Sequence, residues 1–428
     1  MVIYIIISTF FVIAAFFNFK RSLFFWSAFS IFFDLATCLK FSPPSLTVTF
    51  ALNTFFILFY LTKNPAKKLI NPFTSACLIL LFSYVFSAIF PTNRLGESIL
   101  KIFQFVVNEL IIVHVIFASV RNPKDLKFLI KCLSISILIS LIYGLFTYVT
   151  KSNPIIDYEI SISSSQTEEI KMISYMNTER GIRLQSLFMS PFIFSLTIVS
   201  YLYMILIANT FFKSFLKLNN KYLIGLIILV TISVFLSNSR STILPFITIT
   251  PLLLLKMPKR YKSIIIIGSV LLVLSLPFVI DRLEIITSVF DSQSKAISGS
   301  SVSMRENQFA IALRSFFESP IFGHGYGYTD ILRSSNFDLY GAESVWIPLL
   351  VEQGLIGVIL YLLFFKGLVS IDKFENKRIL VISIPLYYLL LVTMNGAVNI
   401  SLYIVFLNLA ILYKLFLYHD IWKRNKSK

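Results

Sequence analysis

The sequence predicts an all-α polytopic membrane protein, and three observations carry that prediction. The 428 residues are 57% hydrophobic and only 14% charged, with a mean hydropathy of +0.81. Thirteen apolar runs approach or exceed the length needed to cross ~30 Å of hydrocarbon, which takes about 20 helical residues. Basic residues gather in alternate short connections between those runs. The spans are expected to be helices because unpaired peptide groups cost too much in lipid and no period-two barrel pattern is present.

The runs cover residues 2–18, 22–38, 46–62, 70–90, 98–119, 127–149, 187–209, 221–238, 241–256, 262–280, 344–366, 379–395 and 398–418, giving about 12–13 transmembrane helices. The first lacks a basic leader and a small-residue cleavage site, so it reads as a retained helix. Cys38, Cys77 and Cys132 fall in or at the ends of spans, with neither metal-ligand spacing nor a disulfide framework.

The net charge of +17 raises nucleic acid as a partner, but its distribution argues against one. Lys20–Arg21, the connections near 63–68, 121–131, 213–221, 256–262 and 366–378, and the tail from Lys414 hold 25 of the 38 basic residues. The positive-inside rule puts these segments and the C-terminus in the cytoplasm. The other face carries eight arginines and five lysines, against five and twenty inside. Arginine's planar fork binds phosphate in a bidentate manner and tolerates partial burial. The bias points to a phosphorylated lipid handled outside, with chance in a small sample as the plain alternative.

The same assignment makes 150–186 and 281–343 the two long extracytoplasmic loops of a single integral membrane domain, 1–428. The first loop is serine-rich and ends in Glu179-Arg-Gly-Ile-Arg183. In the second, Ser303-Met-Arg-Glu306 fits a capping box, and Phe309, Ala312, Leu313, Phe316 and Phe317 follow at helical spacing before Pro320. An amphipathic helix near 303–318, lying on the outer membrane surface, is expected. Then comes Gly323-His-Gly-Tyr-Gly327, a tight glycine turn carrying His324 and Tyr326.

Each candidate residue has two readings. Arg183, at the mouth of a helix, either snorkels to the interface or meets a ligand. Arg240 sits between two apolar runs, where an arginine usually faces a cavity or partner. Arg305 and Arg314 lie on nearly opposite sides of the surface helix, so at most one faces a given ligand. His324 is placed for proton transfer or is a solvated loop residue. Glu343 compensates a helix dipole or acts as a general base. Glu352, nine residues on, is expected to pair internally with a polar group. Asp34, Glu109, Asn395 and Asn399 bond between helices or line an ion path. The Gly-x-Gly-x-Gly string has no preceding strand and no following Gly-Lys-Ser/Thr, so it is no nucleotide loop.

Taken in order, these segments form a recognisable pattern. Arg183-x-x-Ser-x-Phe-x-x-Pro191, Ser239-Arg-Ser241, the Ser319-Pro-x-x-Gly lead-in to the glycine turn, and Leu350-x-Glu-x-Gly-x-x-Gly357 resemble the O-antigen ligase and Wzy-type polysaccharide polymerase superfamily. The resemblance runs from Arg183 to Gly357. Two positions depart from it: Glu343-Ser344 stands where many members have His-Asn, and Ser241 where glycine follows the arginine.

The resemblance implies a GT-C-like glycosyltransferase of a bacterial cytoplasmic membrane. Its expected donor is an undecaprenyl-diphosphate-linked oligosaccharide, used on the outer face. Arg183, Arg240, Arg305 and Arg180 are expected to bind the diphosphate, with Glu343 or His324 as base. Gly323, Gly325, Gly327 and Tyr326 form the supporting loop. No metal and no cofactor is expected; a membrane protein regulating chain length is the further partner class the resemblance implies. The departure at Glu343 favours a repeat-unit polymerase over a ligase. A flippase for the lipid-linked unit is the alternative from another class; it predicts inverted repeats and charges at the midplane, whereas no repeat is present and the distinctive residues lie in one outer loop.

Overall fold

The computed structural model describes residues 2–32, 47–64, 69, 71–89, 95–162, 182–188, 190–216, 219–256, 302–336, 339, 344–395 and 402–426. Every long element among them is a helix. Seven helical stretches are long and apolar enough to cross a membrane, and four more apolar helices are shorter. The chain is a polytopic membrane protein. Run 262–280 lies outside the described residues; the other twelve map onto these stretches, two of them onto the first.

That first element, α1 (Val2–Phe29), is interrupted at Asn18, whose φ of −149° and ψ of 85° are not helical. Asn18 Oδ1 accepts the Arg21 amide at 3.2 Å. The rings of Phe11 and Trp26 meet at 5.1 Å, whereas fifteen residues of straight helix would hold them about 22 Å apart. The chain therefore doubles back, and α1 is a helical hairpin turning at Asn18, just before Lys20–Arg21.

The helices sort into two compact units interleaved along the chain. The first takes residues within 1–71, 107–239 and 401–428. It contains α1, α2 (Val48–Lys63), α5 (Ile112–Ser119), α6 (Pro123–Thr150), α7 (Pro154–Ile162), α8 (Pro191–Leu216), α9 (Asn220–Leu236) and α16 (Leu402–Lys426). Helix α6 starts where Asn122 Oδ1 accepts the Asp125 amide at 2.8 Å and Pro123 supplies a preset φ. Helix α8 is apolar all round and buried almost throughout its span, as suits a central helix, and it packs against α16 and α9.

Polar groups stitch this unit where water is absent. Trp26 Nε1 donates to Asn53 Oδ1 at 2.8 Å, and Asn53 Nδ2 donates to Asn108 Oδ1 at 2.9 Å. Asn108 and Glu109 lie in a π-helical turn, Val106–Ile111, ahead of α5. Half-buried Glu109 accepts the Tyr403 amide in the first turn of α16. Interhelical bonding, rather than an ion path, is what the structure displays for Glu109; Asp34 and Asn399 fall outside the described residues.

The second unit takes residues within 72–106 and 240–400. It holds α3 (Thr74–Ile89), α4 (Leu95–Phe105), α10 (Arg240–Leu255), α11 (Val302–Glu318), α12 (Tyr328–Ser335), α13 (Trp346–Val369), α14 (Arg378–Val381) and α15 (Ser383–Asn395). Helix α13 is its hub, packing against α3, α11, α12 and α15. Helix α10 lies along α15, where Tyr387 Oη donates to the Thr242 carbonyl at 3.3 Å. Helix α11 begins at Val302, so Ser303 falls inside its first turn rather than at the N-cap. Its Gln308–Ala312–Ser315 face is buried, with Ala312 in a core beside Ile347 and Val351 of α13. Helix α11 is thus docked on α13 by one face while Leu313 and Phe317 point outward.

Replacing Asn53 by Ala removes the acceptor of the Trp26 indole N–H bond and the donor to Asn108 Oδ1 inside the helix layer. We expect a loss of about 1–3 kcal/mol, seen as a lower thermal midpoint in detergent than that of an exposed-site control such as Thr62→Ala.

Candidate functional site

The glycine turn is built by an exchange of backbone hydrogen bonds with α13. In a regular helix the amides of Leu355 and Ile356 would bond the carbonyls of Val351 and Glu352. Gly354, at φ 60° and ψ −158°, breaks that ladder. The Leu355 amide instead donates to the Pro320 carbonyl at 2.9 Å, and the Ile356 amide to Ile321 at 3.3 Å. The freed carbonyls of Val351 and Glu352 accept the amides of His324 at 2.9 Å and Gly325 at 3.0 Å. Two helical bonds are replaced by four between turn and helix.

Two glycines make this approach possible. Gly323 has φ 70°, and a Cβ there would overlap the Glu352–Gln353 backbone. A Cβ on Gly354 would lie 2.6 Å from the Ile321 carbonyl carbon. Gly327, at φ 88°, is different: a Cβ on it would meet nothing within 4 Å, so its glycine answers to backbone conformation alone.

Side chains of α3 lock the break from behind. Ser87 Oγ donates to the Glu352 carbonyl at 3.1 Å, and Ser83 Oγ donates to Gln353 Oε1. The Ser87 carbonyl accepts the Tyr326 amide at 3.2 Å, and the Tyr326 ring stands edge-on to Tyr84 at 5.7 Å. Ser83 and Ser87 escaped the sequence reading. Their signal was present, since two serines four apart on an otherwise apolar helix share one face.

The Glu352 carboxylate is 7% exposed, and its Oε1 accepts the Thr329 amide at 3.2 Å in the first turn of α12. A carboxylate there satisfies an amide with no intrahelical partner. The expected internal polar partner of Glu352 is therefore the N-terminus of α12.

His324 is held on two sides. Its ring stacks on Tyr328 at 4.3 Å and 16°. Its Nε2 lies 2.8 Å from the Ser315 carbonyl and 3.7 Å from Glu318 Oε2. A carbonyl only accepts, so Nε2 carries the proton in that bond and Nδ1 is the ring nitrogen left for other chemistry. Among the described residues no three His, Cys, Asp or Glu side chains gather to share an ion.

The predicted arginines are spread over both units. Arg183 is half-buried in an ordered strap of the first unit. There the Leu184 amide donates to the Leu236 carbonyl at 3.0 Å and Asn153 Nδ2 to the Ser186 carbonyl at 2.7 Å. Arg240, also half-buried, is the first residue of α10 and follows Asn238, whose φ is 51°. Arg305 is half-buried near the start of α11, and Arg314 is exposed. Arg180 and Glu343 lie outside the described residues.

With that geometry in place, comparison with known families is informative. Residues 225–362 match the family described as O-antigen ligase. The match supports the resemblance to the O-antigen ligase/Wzy superfamily over that segment. The matched segment contains Arg240, Arg305, the glycine turn with His324, Glu343 and the α13 break, while Arg180 and Arg183 precede it. No curated protein matches the chain.

Gly323→Ala and Gly354→Ala each carry a left-handed penalty of about 1–2 kcal/mol plus an overlap with facing backbone. Gly327→Ala carries the first term alone. Thermal melts in detergent are expected to place Gly327→Ala above the other two; equal midpoints for all three would remove the close-approach explanation.

Proposed function

We propose that this protein is a repeat-unit polymerase, joining a glycan carried on undecaprenyl diphosphate to a hydroxyl of a second lipid-linked unit at the outer face of a bacterial cytoplasmic membrane. The observation carrying this proposal is the O-antigen ligase match over 225–362, which holds Ser239-Arg-Ser241, the glycine turn and Leu350-x-Glu-x-Gly-x-x-Gly357 in order. The divergence at Glu343-Ser344 favours elongation over ligation.

In the proposed reaction the sugar–diphosphate bond breaks as the acceptor oxygen bonds to the anomeric carbon. Negative charge grows on the departing diphosphate. Arg183 and Arg240 are assigned to hold it, with Arg305 and Arg180 as further phosphate contacts, because guanidinium forks match phosphate oxygens. The acceptor proton passes to Glu343 or to His324. For His324 the acceptor atom is Nδ1, because Nε2–H is already given to the Ser315 carbonyl. Ligase-type transfer to a different acceptor is the second reading, favoured by the family's own description. A chain-length regulator in the same membrane fits the polymerase.

Purified protein in vesicles with one lipid-linked repeat unit should give a ladder of longer glycans. Transfer only to an added foreign acceptor would establish the ligase instead, and movement of the unit across the bilayer without elongation would sink both. Arg240→Ala and Arg183→Ala are expected to slow the ladder by roughly 10²–10³-fold, the usual loss for one charge-stabilising donor. Loss of the base costs on the order of 10²–10⁴, so comparing Glu343→Gln with His324→Gln identifies it.

A further inference from the structure

We propose that the Ser319–Gly325 turn is a re-entrant element lying at hydrocarbon depth, with Ile321 and the outer face of α11 in contact with lipid acyl chains. This differs from the solvated extracytoplasmic loop that the sequence pattern implies, and it rests on no assignment of activity.

Depth follows from what the turn is bonded to. The carbonyls of Pro320 and Ile321 accept the amides of Leu355 and Ile356, nine and ten residues inside a stretch long and apolar enough to span a membrane. Gly354 interrupts the helix between Trp346 and Leu355, so a straight-helix rise holds only from Leu355 onward. From Leu355 to the helix end at Val369 the rise is only about 21 Å, short of the ~30 Å a crossing requires. Hydrocarbon must therefore extend past the break toward Trp346, and the turn bonded there lies within it.

The turn's own chemistry fits that depth. Irregular backbone is tolerated in a bilayer only where its polar groups are paired. Here the amides of Gly323, His324 and Gly325 all have carbonyl partners, and Ser319 Oγ donates to the Gly323 carbonyl at 2.8 Å. Pro320 has no N–H to satisfy.

The side chains facing outward are apolar and continuous with the outer faces of two apolar helices. Ile321 is 55% exposed beside Leu355 at 52%, and Phe317 and Leu313 on α11 are 72% and 41% exposed. The Phe322 ring meets Phe86 of α3 at 5.6 Å, and Phe86 stacks with Phe82 at 5.8 Å. Phe82 belongs to the exposed stripe Leu78, Phe82, Val85 and Ile89. One apolar surface thus runs from α3 and α13 over the turn and onto α11. What covers helices of this kind in a membrane covers the turn as well, namely lipid.

Nitroxide labels report this directly in the full chain, reconstituted in phosphatidylethanolamine/phosphatidylglycerol nanodiscs. The labelled variants are Ile321→Cys and Phe317→Cys, with Ile359→Cys on α13 as lipid reference and Ser334→Cys on α12 as polar reference. All carry Cys38→Ser; Cys77 and Cys132 are buried, and unlabelled-site protein supplies the background. The expected result is an oxygen-to-nickel-chelate collision ratio at Ile321 and Phe317 equal to that at Ile359. A ratio at the level of Ser334 would overturn the proposal in favour of water. Strong immobilisation with both reagents excluded would overturn it in favour of a protein partner or a second copy. Phe317 lies outside the hydrogen-bonded turn, so it keeps the test decisive even if Ile321→Cys does not fold.

Discussion

A peptide group surrounded by hydrocarbon has no water to bond, so every break in a membrane helix must be answered by another backbone or a polar side chain. In this protein that constraint is concentrated at Gly354. The break frees two carbonyls and two amides of α13, and each is taken up by Ser319–Gly325. Packing of α11, the start of α12 and the placement of His324 all follow from that exchange. The turn's two ends are fixed to one rigid helix, leaving His324 and Tyr328 little freedom.

Glycine at these positions is a matter of contact distance. Gly323 and Gly354 face each other's backbones so closely that neither accommodates a Cβ, while Gly327 has open space around it. The Leu350-x-Glu-x-Gly-x-x-Gly357 pattern is therefore a seat for the turn. Its acidic residue caps a neighbouring helix rather than facing open solvent. A motif of this kind need not mark reacting atoms; here it marks a close backbone joint between turn and helix.

Much of the helical architecture was legible because lipid imposes one rule on sequence, and apolar length reports it directly. The doubled-back α1 was legible too, since Lys20–Arg21 interrupts two apolar runs. The break at Gly354 was not. Trp346 to Val369 reads as one uninterrupted apolar span, and a glycine inside such a span ordinarily costs little enough to pass unnoticed. The polar character of Ser319 to Tyr328 likewise implied a solvated loop. Composition cannot distinguish a backbone hydrated by water from one paired to a helix, because the pairing partner lies thirty residues away in sequence. The segment at Arg183 was legible only as the basic end of a loop; the bonding of its neighbours Leu184 and Ser186 to Leu236 and Asn153 was not, for the same reason.

Two of the three acidic residues inside predicted spans, Glu109 and Glu352, serve as helix caps, and the third, Asp34, lies outside the described residues. Glu109 accepts the amide of Tyr403, the second residue of α16, and Glu352 accepts that of Thr329, the second residue of α12. Each carboxylate comes from a different element than the helix it caps, and each satisfies an amide that the helix itself leaves without a partner. Protonation of either would weaken the end of a helix, so both are bound to structure and poorly suited to cycle a proton at every turnover. The two residues proposed for proton transfer remain Glu343 and, through Nδ1, His324. Of these, His324 is anchored through its opposite ring nitrogen, an arrangement that fixes the tautomer and presents one lone pair in a set direction.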